Sequence, residues 1–239
     1  PGAQGFISAL EENGIPFLVL TNNSIFTNRD LSARLANSGL KVPEEHIWTS
    51  ANATAAFLSQ QSPNSTAYVI GEAGLTTALH TAGYVMTDQD PEYVVLGETR
   101  FYDFYALTTA IRLIERGAKF IATNPDVSGP SDEGTLPAAG SIAAMIQAAT
   151  GKAPYFVGKP NPVMIRAGLN KIGAHSEQAA MVGDRMDTDV RAGVEAGMRT
   201  FLVLSGSTHS ADVANFPYRP FRIYNGIGDL IRYVQPASN

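Results

Sequence analysis

Residues 179–189 decide the fold and read Ala-Ala-Met-Val-Gly-Asp-Arg-Met-Asp-Thr-Asp. The apolar run 179–182 predicts a strand that Gly183 ends, and the residues that follow the aspartates predict a helix. Open α/β sheets bind ligands at the carboxyl ends of their strands, so three carboxylates here suggest a divalent cation with oxygen ligands. A structural alternative stays open, because Asp187 could cap the helix and Asp189 could lie in its first turn, where the helix dipole favours negative charge.

The composition of the 239-residue chain excludes several classes of protein. A hydrophobic content of 44% with 16% charged residues is ordinary for a globular protein and argues against disorder. A net charge of −5 gives no electrostatic footprint for a nucleic acid polymer or an anionic membrane. There is no cysteine for disulfides or thiol chemistry, and no apolar run approaches the ~20 residues of a membrane span. We therefore expect a cytoplasmic protein.

Helical and extended patterns alternate along the chain, which predicts an α/β fold. A polar stretch at 60–65 indicates a linker and a domain boundary near residue 61, and residues 67–157 repeat the alternation as a complete inserted α/β domain. The expected strands are 15–20, 47–49, 67–70, 84–87, 93–96, 120–123, 155–157, 179–182 and 200–204, with a final strand and helix after Pro220. The other main expected helices are 3–13, 73–82, 104–116, 138–149 and one that begins at Pro162.

Polar residues follow several of the other strands. Residues 21–24 read Thr-Asn-Asn-Ser at a strand end, although the cluster could be only a turn. Lys159 lies between a strand and a helix, where it is either an exposed loop charge or a compact point charge that holds carboxylates and a phosphoryl group. The connection 124–136 is rich in Asp, Ser, Gly and Pro and is longer than ordinary loops, so we expect a substrate-facing loop. His209 is expected at the surface.

Three motifs occur in order, with the α/β insert between the first and the second: Leu20-Thr21-Asn22-Asn23, Val157-Gly158-Lys159-Pro160 and Gly183-Asp184-Arg185-Met186-Asp187-Thr188-Asp189. In these motifs the chain resembles the haloacid dehalogenase (HAD) superfamily of phosphatases, specifically its NagD-like or 4-nitrophenylphosphatase-like members with a type IIA cap. The resemblance covers essentially the whole chain and includes Gly97-Glu98-Thr99-Arg100, Ala122-Thr123-Asn124-Pro125-Asp126 and Leu204-Ser205-Gly206.

The resemblance implies a definite architecture. It predicts a Rossmann-like doubly wound parallel sheet, the HAD core, with an inserted α/β cap domain. The core would comprise 1–60 and 158–239, and the cap would comprise 61–157. In this subfamily the cap closes over the site, so specificity should lie in the cap.

The activity that the resemblance implies is Mg²⁺-dependent hydrolysis of phosphate monoesters through an aspartyl-phosphate intermediate. Thr21 would hydrogen-bond the phosphoryl oxygens, with help from the backbone N–H groups of Asn22 and Asn23. Lys159 would neutralise charge on the nucleophile and the phosphate. Fixed donors and charges are what phosphoryl transfer requires of a protein.

The resemblance gives the remaining site residues similar roles. Asp184 would ligate Mg²⁺. Asp189 would not ligate the metal itself but would orient the residues that do, and it would pair with Lys159. Asn124, Asp126 and the loop 127–137 would contact the substrate.

The implied partner is a small phosphorylated metabolite, either a nucleoside monophosphate or a sugar phosphate, with 4-nitrophenyl phosphate as an artificial substrate. No Lys or Arg lies between Ala122 and Lys152, which argues against recognition of a second phosphate by the cap loop. The resemblance also allows a homodimer that forms through the cap.

One departure from the family pattern leaves an alternative open. The family begins with a strand that carries Asp-x-Asp, whose first Asp is the nucleophile, and residues 1–239 do not include it. We expect the motif upstream of residue 1, in a segment of roughly 15 to 25 residues whose strand lies between 15–20 and 179–182. The rival hypothesis is a non-catalytic phosphometabolite-binding or regulatory protein with a degenerate HAD core.

Overall fold

The structure is a computed structural model of the chain and describes residues 2–131 and 134–234. Internal contacts divide it into two compact units. The first unit comprises the described residues of 1–19, 32–47 and 159–239, and the second comprises 20–31 and 48–158. The predicted insert of 61–157 lies inside the second unit, which also contains the Thr-Asn-Asn-Ser stretch. The assignment of a core and a cap with the predicted bounds stays a prediction.

Helices and strands alternate along most of the described chain, which confirms the predicted α/β class. None of the described helices is long and apolar enough to cross a membrane. The strands are β1 (Val19–Thr21), β2 (Ile47–Thr49), β3 (Thr66–Ile70), β4 (Val85–Met86), β5 (Tyr93–Leu96), β6 (Lys119–Ala122), β7 (Ser128–Ser131), β8 (Gly134–Pro137), β9 (Tyr155–Phe156), β10 (Ala180–Gly183), β11 (Arg199–Val203) and β12 (Arg222–Tyr224). The α-helices are α1 (Ala3–Glu12), α2 (Asn28–Asn37), α3 (Ser50–Gln61), α4 (Ala73–Thr81), α5 (Phe104–Glu115), α6 (Ala139–Thr150), α7 (Pro162–Lys171), α8 (Arg191–Glu195) and α9 (Ile231–Val234).

A five-stranded parallel sheet in the order β4-β3-β5-β6-β9 forms the centre of the second unit. All four residues of β5 are buried, and its Val95 is the register partner of both Val69 on β3 and Ile121 on β6. A strand covered on both faces is apolar throughout, which explains the unbroken run in β5. Helices α5 and α6 add Leu113 and Ile146 to the same core cluster.

The predicted elements of the second unit agree closely with the structure. The strands predicted at 67–70, 93–96 and 120–123 match β3, β5 and β6 to within one residue, and helices α4, α5 and α6 also begin and end within one residue of prediction. Gly151 ends α6 with a φ of 67°, the left-handed conformation that glycine adopts at helix C-termini.

The long connection after β6 contains a β-hairpin that was not predicted. Strands β7 and β8 pair antiparallel, with Gly129 opposite Leu136, and Gly134 has a φ of 121° at the turn. The connection 124–136 is therefore a loop only outside these strands, and its predicted contact with the substrate stays a prediction. Proline and glycine, which disfavour most strands, are tolerated in a two-stranded ribbon with open edges. Within the predicted loop 127–137, Asp132 and Glu133 lie outside the described residues.

The first unit contains a parallel sheet in the order β10-β11-β12, in which Val182 is the register partner of Phe201. Phe6 and Leu10 of α1 belong to a core cluster against which Val182 packs. The strand predicted at 15–20 is shorter than expected and begins only at Val19. The N–H of Ile15 donates to the carbonyl of Leu10 at 2.9 Å and so closes the helix.

The strand expected from an upstream segment stays a prediction. Direct pairing of β1 with β10 would contradict it. Within the described residues, β1 pairs with β2 and β10 pairs with β11.

Candidate active site

A buried ion pair lies at the carboxyl end of β10 in the first unit. Lys159 Nζ donates to Asp189 Oδ1 at 2.7 Å, and the two side chains are only 11% and 7% exposed. Burial of a charge is costly unless an opposite charge and hydrogen bonds compensate it. Lys159 is therefore not an exposed loop charge, and the pairing with Asp189 that the resemblance implies is present.

The second oxygen of Asp189 organises the backbone around it. Oδ2 accepts hydrogen bonds from the N–H groups of Asp184 and Arg185, at 3.2 and 3.1 Å. Gly183 leaves the space for this carboxylate, because a Cβ at that position would lie 2.3 to 2.4 Å from Asp189. One carboxylate thus holds both the lysine and the turn.

A π-helical turn, Met186–Val190, lies between β10 and α8. The N–H groups of Asp189 and Val190 both donate to the carbonyl of Arg185, at 3.0 and 3.1 Å. Asp187 is exposed and accepts two hydrogen bonds from the Arg185 guanidinium, at 3.1 and 2.8 Å. The suggestion that Asp187 caps the helix is wrong, because this turn precedes α8 and neither it nor α8 has a side-chain cap.

Asp184 is held by the segment after β11. Its Oδ2 accepts a hydrogen bond from the Ser207 N–H at 2.7 Å, and its carbonyl accepts one from the Thr208 N–H at 3.1 Å. A Cβ on Gly206 would lie 2.2 to 2.5 Å from the Asp184 side chain. Within the described chain, Oδ1 of Asp184 receives no hydrogen bond and no ion pair. The described residues therefore use only one of the two carboxylate oxygens of Asp184.

The three aspartates of the opening stretch do not form one ligand set. Asp187 pairs with Arg185, Asp189 pairs with Lys159, and Asp184 contacts Ser207. Across residues 2–131 and 134–234, no group of three or more His, Asp or Glu side chains converges to hold a metal. The expectation of a three-carboxylate cation cluster is therefore wrong, and Asp184 remains as the metal-ligand candidate.

The predicted phosphate-binding residues form a tight turn in the second unit. Oδ1 of Asn23 accepts hydrogen bonds from the N–H groups of Ile25 and Phe26, at 3.2 and 3.1 Å. The Asn23 N–H donates to Oγ1 of Thr21 at 3.1 Å. The side chain and the amide of Asn23 therefore serve the turn itself.

Asn22, Asn124 and Asp126 lie together in the second unit. Asn22 Nδ2 donates to Asp126 Oδ2 at 2.9 Å, and Asn124 Nδ2 donates to the Asn22 carbonyl at 3.0 Å. Asn124 Oδ1 accepts a hydrogen bond from the Asp126 N–H at 3.1 Å. Asn124 is fully buried. The cluster ties the predicted cap residues to the predicted phosphate loop.

Glu98 joins this cluster and was given no role from the sequence. Its N–H donates to Oγ of the buried Ser24 at 2.9 Å. Partial burial raises the pKa of Glu98; a hydrogen bond from Asn124 opposes the shift, and the nearby charge of Asp126 adds to it. The sequence alone could not predict the raised pKa of Glu98, because the burial of its side chain depends on residues distant along the chain.

Comparison with known proteins identifies the family. Family profiles match at residues 1–85, for haloacid dehalogenase-like hydrolases, and at 156–230, for HAD-hydrolase-like proteins. The dihydroxyacetone phosphatase of Corynebacterium glutamicum (strain R) is 63% identical over 230 residues, which cover 96% of this chain and 84% of that protein. The chain belongs to the haloacid dehalogenase-like hydrolases.

Two further relatives define its place among the haloacid dehalogenase-like hydrolases. The structure of NagD from Escherichia coli K-12 matches with a TM-score of 0.91 and 43% identity, over 96% of this chain and 90% of that chain. The 4-nitrophenylphosphatase of Thermotoga maritima matches with a TM-score of 0.92 and 36% identity, over 98% and 90%. The predicted fold, the NagD-like phosphatase family and the enzyme class are thereby confirmed.

In this HAD-like hydrolase the predicted site residues fall into two groups, each within one unit. His209 is exposed, as expected for a surface residue. The individual site roles remain predictions. The first unit holds Lys159, Asp184 and Asp189, and the second holds Thr21, Asn22, Asn23, Asn124 and Asp126.

Replacement of Asp189 by Asn should destabilise the protein strongly. A neutral amide leaves the Lys159 charge buried without its partner, and the free energy of unfolding should fall by about 3 to 5 kcal/mol. Urea denaturation measures this, with Asp187→Asn as the control. That substitution breaks an exposed pair and should cost less than about 1 kcal/mol. Equal stabilities of the two variants would contradict the structural role given to Asp189.

Replacement of Glu98 by Gln should stabilise the protein more at neutral than at acidic pH. With its pKa raised above the usual value of about 4.3, Glu98 binds protons more readily in the folded state than in the unfolded state. Its contribution to stability therefore falls as pH rises from about 4.3 through the folded-state pKa. Thermal unfolding across this range should show a growing advantage of Glu98→Gln over wild type. Exposed Glu115→Gln controls for loss of one negative charge, and a pH-independent advantage would refute the prediction.

Proposed function

We propose that this hydrolase removes phosphate from monoesters of small metabolites with Mg²⁺ as its cofactor. The arrangement at the end of β10 carries the proposal: Lys159 is buried and fixed by Asp189, and Asp184 nearby in sequence has one open carboxylate oxygen. Phosphoryl transfer requires mainly positioning and the stabilisation of negative charge. A fixed cation and a hard oxygen ligand are suited to both tasks.

Lys159 is proposed to neutralise negative charge on the phosphoryl group. Its ammonium is a compact point charge, and Asp189 holds it at 2.7 Å. The charge is therefore in place before the reaction, and no reorganisation is needed when negative charge develops. Asp189 acts through Lys159 and through the turn that presents Asp184.

Asp184 is proposed to hold Mg²⁺. Mg²⁺ is usually bound by one or two carboxylates together with waters and substrate phosphate oxygens, so a single aspartate with a free oxygen fits. The Ser207 N–H fixes Oδ2 of Asp184 and leaves Oδ1 available. When bound, Mg²⁺ would supply Lewis-acid stabilisation of phosphoryl oxygens.

Thr21, Asn22 and Asn23 are proposed as the phosphate-binding loop. The Thr21 hydroxyl would donate to a phosphoryl oxygen. The Asn23 N–H supports this role indirectly, because it donates to Thr21 Oγ1. Asn22 anchors the loop to Asp126.

The proposed substrates are small sugar phosphates, with triose phosphates first and nucleoside monophosphates second. A relative with 63% identity is named a dihydroxyacetone phosphatase, and others are named ribonucleotide monophosphatase and acid sugar phosphatase. The stretch between Ala122 and Lys152 contains no Lys or Arg but does contain Asp126, so a second phosphate would meet no fixed cation there.

The setting of the enzyme is also part of the proposal. Phosphorylated metabolites are made in the cytoplasm, which is the proposed compartment. Residues 61–157 are proposed as the cap that gives specificity, and a homodimer through this cap is compatible with the proposal.

A panel of phosphate esters tests the substrate class. Protein expressed from its full reading frame should hydrolyse dihydroxyacetone phosphate and 4-nitrophenyl phosphate in the presence of Mg²⁺. Sugar bisphosphates should have a kcat/KM at least ~10-fold lower, equivalent to about 1.4 kcal/mol. A preference for bisphosphates would contradict the proposal. Binding of the esters without turnover would instead support the non-catalytic alternative.

Gly206→Ala tests the metal role of Asp184 without a change in the ligand itself. The added Cβ would overlap the Asp184 carboxylate, so the side chain must move and Mg²⁺ should bind about 10-fold more weakly. Calorimetric Mg²⁺ titration measures the effect. Gly5→Ala is the matched control, because its Cβ makes only an ordinary contact of 3.4 Å with Ile231. Unchanged Mg²⁺ affinity in Gly206→Ala would speak against Asp184 as the ligand.

A further inference from the structure

Two buried side chains converge on one backbone carbonyl in the second unit. The Asn22 carbonyl oxygen accepts hydrogen bonds from Ser50 Oγ at 2.6 Å and from Asn124 Nδ2 at 3.0 Å. Both Ser50 and Asn124 have 0% exposure. Ser50 is the first residue of α3, and Asn124 follows β6, so the carbonyl is held from two separate elements. We call this arrangement the Asn22 carbonyl clamp.

The clamp also fixes the amide of the next residue. A peptide bond is planar, so the Asn22 carbonyl and the Asn23 N–H turn as one rigid group. The Asn23 N–H donates to Thr21 Oγ1 at 3.1 Å. Rotation of this peptide would break the hydrogen bonds of Ser50 and Asn124 at the same time. Ser50 Oγ also contacts the Asn23 carbonyl at 3.3 Å, and Asn124 Nδ2 also contacts Thr123 Oγ1 at 3.4 Å, but both contacts are longer than those to the Asn22 carbonyl. Loss of the two shorter hydrogen bonds at buried donors is costly, so this orientation of the peptide is favoured.

The orientation of this peptide decides how the Thr21 hydroxyl can act. A hydroxyl has one hydrogen to donate and two lone pairs that accept. Because one lone pair of Thr21 is taken by the Asn23 N–H, its hydrogen must point to a different acceptor. No acceptor for that hydrogen exists among the residues that the structure describes. The hydroxyl is thus preset as a donor.

We propose that Ser50 and Asn124 are positioning residues that, through the Asn22 carbonyl clamp, aim the Thr21 hydroxyl at a phosphoryl oxygen. The inference rests on the proposed role of Thr21 as a phosphate ligand. It also changes the expected role of Asn124. Its Nδ2 holds the Asn22 carbonyl, its Oδ1 holds the Asp126 N–H, and it is fully buried, so it supports the loop and does not contact the substrate.

A double-mutant cycle with Thr21→Val tests the inference in protein expressed from its full reading frame. Ser50→Ala and Asn124→Ala should each lower kcat about 3- to 10-fold, the effect of one neutral hydrogen bond. Thr21→Val should lower kcat on the order of 10²-fold. In the Thr21→Val background, Ser50→Ala and Asn124→Ala should have no further effect, because they act only through Thr21.

Thr54→Val is the matched control. Thr54 is equally buried on the same helix and donates to the backbone carbonyl of Ser50 at 2.7 Å, a hydrogen bond that involves neither Ser50 Oγ nor the Asn22 carbonyl. Its loss should lower thermal stability and leave kcat unchanged. The ratio of kcat/KM between dihydroxyacetone phosphate and 4-nitrophenyl phosphate should stay constant in Asn124→Ala, since a positioning residue affects both substrates alike.

Each contrary outcome has a separate meaning. Multiplicative effects of Ser50→Ala and Thr21→Val on kcat would overturn the clamp and leave the phosphate role of Thr21 intact. Wild-type turnover of Thr21→Val would overturn that role and the clamp with it. A change in the ratio of kcat/KM between the two substrates in Asn124→Ala would show that Asn124 contacts the substrate directly, and would overturn its role as a positioning residue. If Ser50→Ala fails to fold, the cycle of Asn124→Ala with Thr21→Val decides.

Discussion

The rest of the first unit's site depends on the ion pair between Lys159 and Asp189. A buried ammonium is stable only with a partner that is itself held in place. Here the same carboxylate also accepts two backbone N–H groups at the end of β10. The position of the positive charge and the path of the backbone that presents Asp184 are therefore set together. A displacement of the Lys159 ammonium would therefore shift the backbone at Asp184, and a displacement of that backbone would shift the ammonium.

Glycine makes this arrangement possible by its small size. Gly183 and Gly206 are not among the described glycines with positive φ, so their backbone conformations do not require glycine. Glycine is required because the Asp189 side chain approaches Gly183 closely and the Asp184 side chain approaches Gly206 closely. The two carboxylate side chains are thus packed directly against glycine backbone, where a larger residue would displace them.

Sequence predicted the parts of the fold that local pattern determines. The unbroken apolar run of β5 and the glycine after α6 needed no tertiary information. The hairpin of β7 and β8 was missed because a segment rich in proline and glycine was predicted as a long loop. In the site, the motifs pointed to Lys159 and Asp184, whereas the burial of Glu98 and the double use of Asn124 depend on contacts between segments far apart in the chain.

The π-helical turn Met186–Val190 has a consequence for how this chain can change. Each residue of an α-helix rotates the next side chain by about 100°, and the rotation is smaller in a π-helical turn, but in both cases one residue gained or lost would turn the Asp189 carboxylate away from Lys159. Connections between strands and helices usually tolerate insertions and deletions. In this protein the Lys159–Asp189 ion pair fixes the number of residues between Asp184 and Asp189, so we expect this connection to tolerate neither insertions nor deletions.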